Sequence, residues 1–250
     1  MIELKNFSIG FGNRYLLENV STCFNNASLS ALIGRNGCGK STLLKAISGL
    51  NDHYSGNITV DGVDIKRIPK HKLSHIIAFV NTTRPRIINL RCNEVVALGR
   101  APHTGWMGRM SQKDKNIVFE ALNSVGMDDY AERTMDSLSD GESQKIMIAR
   151  AIAQDTPIII LDEPTSFLDL PTRFELANLL HNLAHTKNKI IIFSTHELDI
   201  ALEMSDYIAL IADKNLYCDT VSGMIESDHI QKLFKFPGEY LQKLLSAIKK

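Results

Sequence analysis

Hydrophobic and polar positions change pattern along the chain, and these changes predict a mixed α/β fold. The first twenty-five residues alternate around the turn sequence GFGN, which indicates a small antiparallel sheet. Short continuous apolar runs predict buried parallel strands, and these runs are SLSALIG, HIIAFV, TPIIILDEP and NKIIIFSTHE. A helix from about Leu170 to His185 separates the last two runs. This strand–helix–strand order favours a parallel α/β core.

The middle of the chain has a different character. Between about residues 84 and 155 the strand-like runs give way to helical periodicity, as in QKDKNIVFEALNSVGM and ESQKIMIARAIAQ. We therefore expect one domain over residues 1–250. Its core would comprise about residues 1–83 and 156–250, and a helical subdomain of about residues 84–155 would be inserted into it. A further helix is predicted directly after GRNGCGK, with Leu43, Leu44, Ile47 and Leu50 on one face.

Composition narrows the classes of function. The 250 residues include 28 basic and 28 acidic side chains, so no excess of positive charge points to nucleic acid. The four cysteines lack metal-ligand spacing, which favours a reducing compartment. The N-terminal residues do not match a signal peptide, and the longest apolar runs are too short to span a bilayer. Any role at a membrane is therefore expected to involve a partner protein.

The sequence GRNGCGKST, which begins at Gly34, matches the phosphate-binding pattern G-x-x-x-x-G-K-[ST]. It follows a predicted strand and opens a predicted helix, as this motif requires. Lys40 can reach the β and γ phosphates of a nucleotide, and Ser41 can hold Mg²⁺. We expect the nucleotide to contact Asn36, Gly37, Cys38, Gly39, Lys40, Ser41 and Thr42.

Two further motifs follow buried strands. Asp162 ends the run IIIL and would orient Mg²⁺, directly or through water, while Glu163 beside it would polarise the attacking water. His196 follows the run IIIFST and would contact the γ-phosphate or the attacking water. Because the carboxyl ends of parallel strands lie at one edge of a sheet, we expect these side chains near the loop at Gly34.

Taken together, these motifs resemble the ATPase subunits of ATP-binding cassette (ABC) transporters over essentially the whole chain. The P-loop, the signature LSDGESQ, the strand ending in Asp-Glu, the D-loop SFLD and the His loop occur in that family's order. The resemblance implies a P-loop core with a mixed sheet, an N-terminal antiparallel β-subdomain and an inserted helical subdomain. It also implies a head-to-tail dimer that binds ATP and Mg²⁺.

The resemblance assigns further residues to the nucleotide. Phe11 would stack on adenine, with Tyr15 as the alternative. Ser139, Gly141 and Asp169 would contact the nucleotide held by the second copy.

The chain departs from the family's pattern in two motifs. Asp140 and Glu142 replace a Gly and a Gln of the signature, so their charges must face away from the γ-phosphate or be neutralised. In the Q-loop, Thr82 stands where the family has Gln, and either Asn81 or an added water is the alternative to a direct contact from Thr82.

The stretch VVALGRAPHTGWMGR resembles the ATPases of importers for iron–siderophore, haem and cobalamin substrates. The resemblance implies a peripheral ATPase at the cytoplasmic face of the inner membrane of a bacterial-type cell. Its partners would be polytopic permease subunits and, indirectly, a substrate-binding protein. Trp106 and Met107 are candidates for the permease interface, with packing inside the subdomain as the alternative. Two other functions stay open, namely a zinc or manganese importer subunit and a soluble ABC ATPase of iron–sulfur cluster assembly.

Three weaker signals do not lead to a predicted function. HNLAH places His181 and His185 one helical turn apart, but the Glu of the zinc-protease pattern is missing, so a surface helix is favoured over a metal site. KRIPKHKLSH reads as a solvated helical face. The amphipathic tail YLQKLLSAIKK favours packing on the core or on a second copy over binding a membrane.

Overall fold

The structure is a computed structural model, and it describes residues 1–12, 14–82, 87–105, 108–166 and 168–234. Trp106, Met107 and the tail YLQKLLSAIKK lie outside the described residues. The strands are β1 (Ile2–Phe11), β2 (Arg14–Phe24), β3 (Ser28–Gly34), β4 (Ser55–Val60), β5 (Val63–Asp64), β6 (Ile77–Val80), β7 (Ile158–Leu161), β8 (Ile190–Ser194), β9 (Tyr207–Ala212) and β10 (Asn215–Thr220).

The helices alternate with the strands in the core and follow one another in the middle of the chain. They are α1 (Lys40–Ile47), α2 (Lys70–Leu73), α3 (Cys92–Ala97), α4 (Gln112–Ser124), α5 (Asp140–Ala153), α6 (Leu170–Thr186), α7 (Leu198–Met204), α8 (Val221–Glu226) and α9 (His229–Phe234). Short 3₁₀ helices occupy Ile65–Arg67, Leu98–His103, Asp128–Tyr130 and Met135–Ser137.

The strands form two sheets, as the alternating and continuous apolar patterns predict. The four-stranded sheet is antiparallel, in the order β2-β1-β4-β5. The six-stranded sheet has the order β10-β9-β3-β8-β7-β6, and only β10 runs antiparallel to its neighbour. The predicted α/β fold class is therefore confirmed.

The six-stranded sheet separates two hydrophobic clusters. Successive side chains of one strand point to opposite faces, so Ile159 packs in one cluster and Ile160 in the other. The cluster around Ile160 includes the antiparallel sheet and α1, whereas the cluster around Ile159 includes helices α3 to α7. Burial on both faces explains why these strands read as unbroken apolar runs. Each fully buried Ile stabilises the fold by about 1.5–3 kcal/mol.

The predicted elements match the observed ones closely in most places. β3 covers the whole of SLSALIG, and α6 ends one residue beyond the predicted His185. The region of about residues 84–155 holds α3, α4, α5 and three 3₁₀ helices. The boundaries of the helical subdomain remain a prediction. Among the described residues, none of the helices is long and apolar enough to cross a membrane.

Helix α1 is shorter than its apolar periodicity indicates. It ends at Ile47, because Gly49 adopts a positive φ of 67° and the Leu50 N–H donates back to the carbonyl of Lys45. Leu50 was predicted to lie on one face of this helix with Leu43, Leu44 and Ile47, but it follows the helix and 64% of it is exposed. Leu43, Leu44 and Ile47 are fully buried.

Candidate active site

The loop between β3 and α1 has the backbone that a phosphate-binding loop needs. Gly37 and Gly39 have φ values of 75° and 110°, which favour glycine over any residue with a side chain. Gly39 is also the N-cap of α1, and it offers no side chain to cap the helix. The free N–H groups of the first turn therefore lie ready for an anion, and the helix dipole favours negative charge there.

Lys40 begins α1 and is only 7% exposed. Its Nζ donates hydrogen bonds to the carbonyl oxygens of Gly34 at 2.9 Å and Arg35 at 3.5 Å. A buried ammonium is costly unless hydrogen-bonded, so these carbonyls hold the charge inside the loop. Burial raises the pKa of the neighbouring Cys38 thiol, and the charge of Lys40 opposes that rise.

A serine that the sequence reading did not single out joins the two acidic residues after β7. Ser194, the last residue of β8, donates from Oγ to Asp162 Oδ1 at 2.7 Å and accepts from the Glu163 N–H at 2.8 Å. Asp162 is 2% exposed, so this bond satisfies part of a buried carboxylate. The parallel pairing of Leu161 with Phe193 brings the ends of β7 and β8 together and sets this contact.

Thr82, at the Q-loop position, also contacts this group. Its Oγ1 donates to the main-chain carbonyl of Asp162 at 3.0 Å. The hydroxyl therefore supports the backbone that carries the two carboxylates, which is a different role from the side-chain reach expected of a Gln. Ser194 could not be recognised from spacing, and the contact of Thr82 with Asp162 could not be predicted either, because both residues act on a residue distant in sequence.

Glu163 and His196 lie together at the surface. Glu163 Oε1 is 4.0 Å from His196 Nδ1, and Ser166 Oγ donates to Glu163 Oε2 at 3.3 Å. Glu163 has a φ of 50°, a conformation that costs a non-glycine residue about 1–3 kcal/mol and that clusters at functional sites. The His196 side chain is 56% exposed, so solvent and ligands can reach the pair.

A cleft of about 660 Å³ brings most of the predicted site residues together. Its volume is in the range of ligand-binding pockets in proteins. Phe11 is 68% exposed and lines the cleft, whereas its alternative Tyr15 does not line the cleft. The lining residues are Phe11, Arg14, Leu16, Asn36, Gly37, Gly39, Lys40, Ser41, Thr42, Glu163 and His196. Arg14 and Leu16 were not predicted, because the strand pattern gives them no chemical signature.

The signature residues do not line this cleft. Ser139 is the N-cap of α5, where its Oγ accepts from the Glu142 N–H at 3.3 Å and its own N–H donates to Glu142 Oε2 at 2.8 Å. Hydrogen bonds from the backbone N–H and the side chain of Ser139 to the Glu142 carboxylate are the main cause that lowers the pKa of Glu142. The carboxylate of Glu142 is thus turned back onto its own helix. Gly141 lies in the same first turn.

Asp169 also caps a helix and lies outside the cleft. Its Oδ1 accepts from the Thr172 N–H at 3.2 Å at the start of α6, and hydrogen bonding from Thr172 is the main cause that lowers the pKa of Asp169. Ser139 and Asp169 are therefore both exposed polar residues at helix N-termini, where an anion or a donor group from another molecule can reach them.

Comparisons with known proteins identify relatives of this chain. Residues 17–166 match the family model described as ABC transporter. The chain is 40% identical over 211 residues to an uncharacterized ABC transporter ATP-binding protein of Methanocaldococcus jannaschii, covering 84% of this chain and 73% of that protein. It is 32% identical to the iron(3+)-hydroxamate import ATP-binding protein FhuC of Bacillus subtilis, covering 95% of this chain and 89% of that protein.

Solved structures give a consistent comparison. An inward-facing structure described as a metal-chelate type ABC transporter superposes with a TM-score of 0.82 at 27% identity, covering 94% of this chain and 89% of that one. A dimeric post-hydrolysis ATP-binding cassette bound to ADP and Pi superposes with a TM-score of 0.77 at 27% identity, covering 88% of this chain and 99% of that one.

Proposed function

The chain belongs to the ABC transporter family of ATP-binding proteins, and from this premise we propose that it powers an importer of iron–siderophore chelates. As a member of that family it is an ATP-binding ATPase subunit. The observation that carries the proposal is the single cleft in which the loop of α1 meets Glu163 and His196. The substrate class is supported by relatives named as hydroxamate and achromobactin ATP-binding proteins, which match over 92% of the chain or more.

ATP would lie in the cleft with its base against the ring of Phe11. Asn36, Gly37, Gly39 and Thr42 would surround the phosphates with N–H groups, together with Lys40 Nζ. Cys38 does not line the cleft, and its N–H donates to the carbonyl of Arg35 at 3.2 Å, so its predicted contact with the nucleotide would require this bond to be exchanged. Two observations support this placement, namely the exposed ring at the cleft wall and the uncapped N-terminus of α1. A triphosphate carries more than one charged group, so it can use the lysine and the helix N-terminus at once.

Mg²⁺ would be held by the hydroxyl of Ser41 and the carboxylate of Asp162. These oxygen ligands fit a hard cation. Ser194 occupies only Asp162 Oδ1, so the fixed carboxylate keeps a second oxygen. When bound, Mg²⁺ would supply positive charge that offsets the charge developing on the phosphates.

Hydrolysis needs a base for the attacking water, and Glu163 would fill this role. Its carboxylate would accept a proton from water in line with the γ-phosphate, while His196 would donate a hydrogen bond to a γ-phosphate oxygen. Ser194 and Thr82 would act as positioning residues, because they hold the backbone and side chain of Asp162 and the N–H of Glu163.

The site would be completed by a second copy of the chain. Ser139, Gly141 and Asp169 lie outside the cleft, so they are available to the nucleotide of a partner in a head-to-tail dimer. A dimeric cassette is among the structures to which the chain is similar, which supports this arrangement. In such a sandwich the N-terminus of α5 would face the γ-phosphate.

The partners we propose are polytopic permease subunits at the cytoplasmic face of the inner membrane and, through them, a substrate-binding protein. An apolar groove of about 420 Å³ supports a protein partner, because it runs along α3 and α4 and leaves Phe119 61% exposed. We assign this groove to a cytoplasmic segment of the permease. The cluster-assembly alternative lacks a comparable observation.

Co-expression with the neighbouring membrane subunit tests the proposal. We expect the two proteins to co-purify in mild detergent and expect ATPase activity in proteoliposomes to rise when a ferric-hydroxamate-loaded binding protein is added. A zinc- or manganese-loaded binding protein, added in a parallel sample, should leave the rate unchanged. Stimulation by the divalent metals alone, or a soluble ATPase that never associates with a membrane subunit, would contradict the proposal.

A further inference from the structure

Three metal-ligating side chains meet on the face of the molecule opposite the nucleotide cleft. His181 and His185 lie one turn apart near the end of α6, and Asp206 lies directly before β9. One ligand atom from each falls within 4.8 Å of the other two. Among the described residues, it is the one group of three His, Cys, Asp or Glu side chains whose ligand atoms lie this close together.

We propose that His181, His185 and Asp206 form a binding site for a divalent transition-metal ion of the zinc class. His185 Nε2 is 3.1 Å from Asp206 Oδ2. Two ligands that share a tetrahedral zinc, each about 2.0–2.1 Å from it, are about 3.3 Å apart. At this distance His185 Nε2 can also donate to Asp206 Oδ2, and a bound ion would replace that hydrogen bond at nearly the same spacing. The third ligand needs to move inwards by about 1.5 Å at most. A change of that size is within the reach of a side-chain rotation.

Hydrogen bonds to the surrounding backbone orient the ligand atoms of His181 and Asp206. His181 Nδ1 lies 3.2 Å from the carbonyl oxygen of Met204, which can only accept, so Nδ1 carries the proton and Nε2 is free to bind a metal. Asp206 Oδ2 accepts from the Leu29 N–H at 2.8 Å, and the Asp206 N–H donates to the Leu29 carbonyl. His181 is held through its second ring nitrogen, and Asp206 is held through Oδ2, the oxygen that also lies 3.1 Å from His185 Nε2. Hydrogen bonds that orient a ligand in this way are typical of protein metal sites.

The site is accessible and lies far from the nucleotide. The side chains of His185 and Asp206 are 40% and 27% exposed, so an ion can enter from solvent. Leu29 is the second residue of β3, whereas the nucleotide loop follows Gly34 at the other end of that strand. With about 3.3 Å per residue, the two ends are separated by about 20 Å. The ion would therefore not occupy the Mg²⁺ position.

The ligand set selects the class of ion. Two imidazoles and one carboxylate suit Zn²⁺, with a fourth position left for water, and they also accept Co²⁺ and Ni²⁺. Mg²⁺ and Ca²⁺ prefer oxygen ligands and would bind poorly. The bound ion would link the end of α6 to the start of β9. Since Asp169 is the N-cap of α6, the ion would stabilise the helix that carries a proposed dimer contact.

Zinc titration of the full-length, tag-free and nucleotide-free protein tests the site. We expect one Zn²⁺ per chain by calorimetry and elemental analysis, and a visible absorption band typical of tetrahedral Co²⁺ after cobalt substitution. His185→Gln and Asp206→Asn should each weaken zinc binding at least tenfold. Asp206→Asn keeps an oxygen that can accept from the Leu29 N–H, so it removes the charge without removing that contact.

Two control variants separate this site from other histidines. His53→Gln alters an exposed His–Asp pair, in which His53 Nε2 is 3.8 Å from Asp52 and no third ligand lies nearby among the described residues. His196→Gln alters the His–Glu pair of the nucleotide cleft. Both should bind zinc as the unmodified protein does. The proposal would be overturned if the protein bound less than one Zn²⁺ per chain. It would also be overturned if His185→Gln and Asp206→Asn bound zinc with the same affinity as the unmodified protein. Circular dichroism of the metal-free variants shows whether they are folded.

Discussion

Ser194 is bonded to both acidic residues that follow β7, since its Oγ donates to Asp162 Oδ1 and accepts from the Glu163 N–H. One hydroxyl thus fixes the proposed Mg²⁺ ligand and the proposed general base with respect to each other. The bond crosses between two strands, so the spacing of the two carboxylates depends on the register of β7 and β8.

Ser194→Ala should reduce both stability and hydrolysis. It leaves a buried carboxylate oxygen and a backbone N–H without this partner, which is expected to lower the free energy of unfolding by about 1–3 kcal/mol. Urea denaturation measures the stability, and the Mg²⁺ dependence of kcat measures the effect on the site. Ser205→Ala is the matched control, because Ser205 lies away from the nucleotide cleft. If the Mg²⁺ dependence of kcat were the same in Ser194→Ala as in the unmodified protein, Ser194 would not position Asp162 for Mg²⁺.

Glu163→Gln should bind ATP and hydrolyse it at least about a hundredfold more slowly, because an amide cannot accept the proton of the attacking water. The variant should accumulate as a dimer with trapped ATP, which gel filtration and nucleotide analysis detect. Glu203→Gln alters an exposed glutamate of α7 and serves as the control. Near-normal turnover by Glu163→Gln would rule out Glu163 as the base.

A mixture of Lys40→Ala and Ser139→Ala chains should recover ATP trapping that neither variant shows alone. In a head-to-tail dimer, the mixed pair has one site with Lys40 from one copy and Ser139 from the other. About half of the dimers in an equal mixture of such chains would be mixed. Trapping in the mixture no greater than in either pure variant would contradict a site shared between copies.

Acid stability should depend on Asp114. Hydrogen bonds from Ser111, followed by one from Arg100 Nε at 2.9 Å, lower the pKa of Asp114 to about 2. A carboxyl with a lowered pKa in the folded state contributes stability above its ordinary pKa of 3.8, and this contribution is lost as the pH falls from there towards 2. Asp114→Asn should therefore be less stable than the unmodified protein at pH 6, and the difference should shrink between pH 4 and pH 2.

Thermal unfolding across that pH range measures the difference. Asp129→Asn, at an exposed position of the 3₁₀ helix Asp128–Tyr130, provides the comparison under the same conditions. An equal gap for Asp114→Asn at pH 6 and pH 2 would show that its ionisation is not linked to folding.

The family assignment and the mixed α/β fold predicted from the sequence are confirmed. Both could be predicted because the residues that determine them lie close together in the sequence. A strand buried on both faces, such as β3, must be apolar at nearly every position, and a P-loop must place glycines where φ is positive. Residues within one motif keep fixed sequence distances, so Gly37, Gly39 and Lys40 could be identified without knowledge of the fold.

Contacts between distant segments could not be predicted in the same way. Ser194 and Thr82 act on Asp162 from 32 and 80 residues away, and serine or threonine at a strand end has no distinctive spacing. The same reason applies to Asp206, which turns an unremarkable histidine pair into a group of three ligands. The prediction for Leu50 was wrong for a local reason. The positive φ of Gly49 ends α1 before the apolar periodicity of the sequence ends.

Lys40 Nζ donates a hydrogen bond to the Gly34 carbonyl, and ligands that enter the loop must compete with this bond. The carbonyls of Gly34 and Arg35 accept from two of the three N–H groups of the ammonium, so an anion that takes more than one of these donors must replace an existing partner. A small ion such as inorganic phosphate has few other contacts to compensate for this exchange. A nucleotide also contacts the Phe11 ring and the N–H groups of α1, and these contacts together can offset the lost hydrogen bond. The loop would in this way favour a nucleotide over free phosphate.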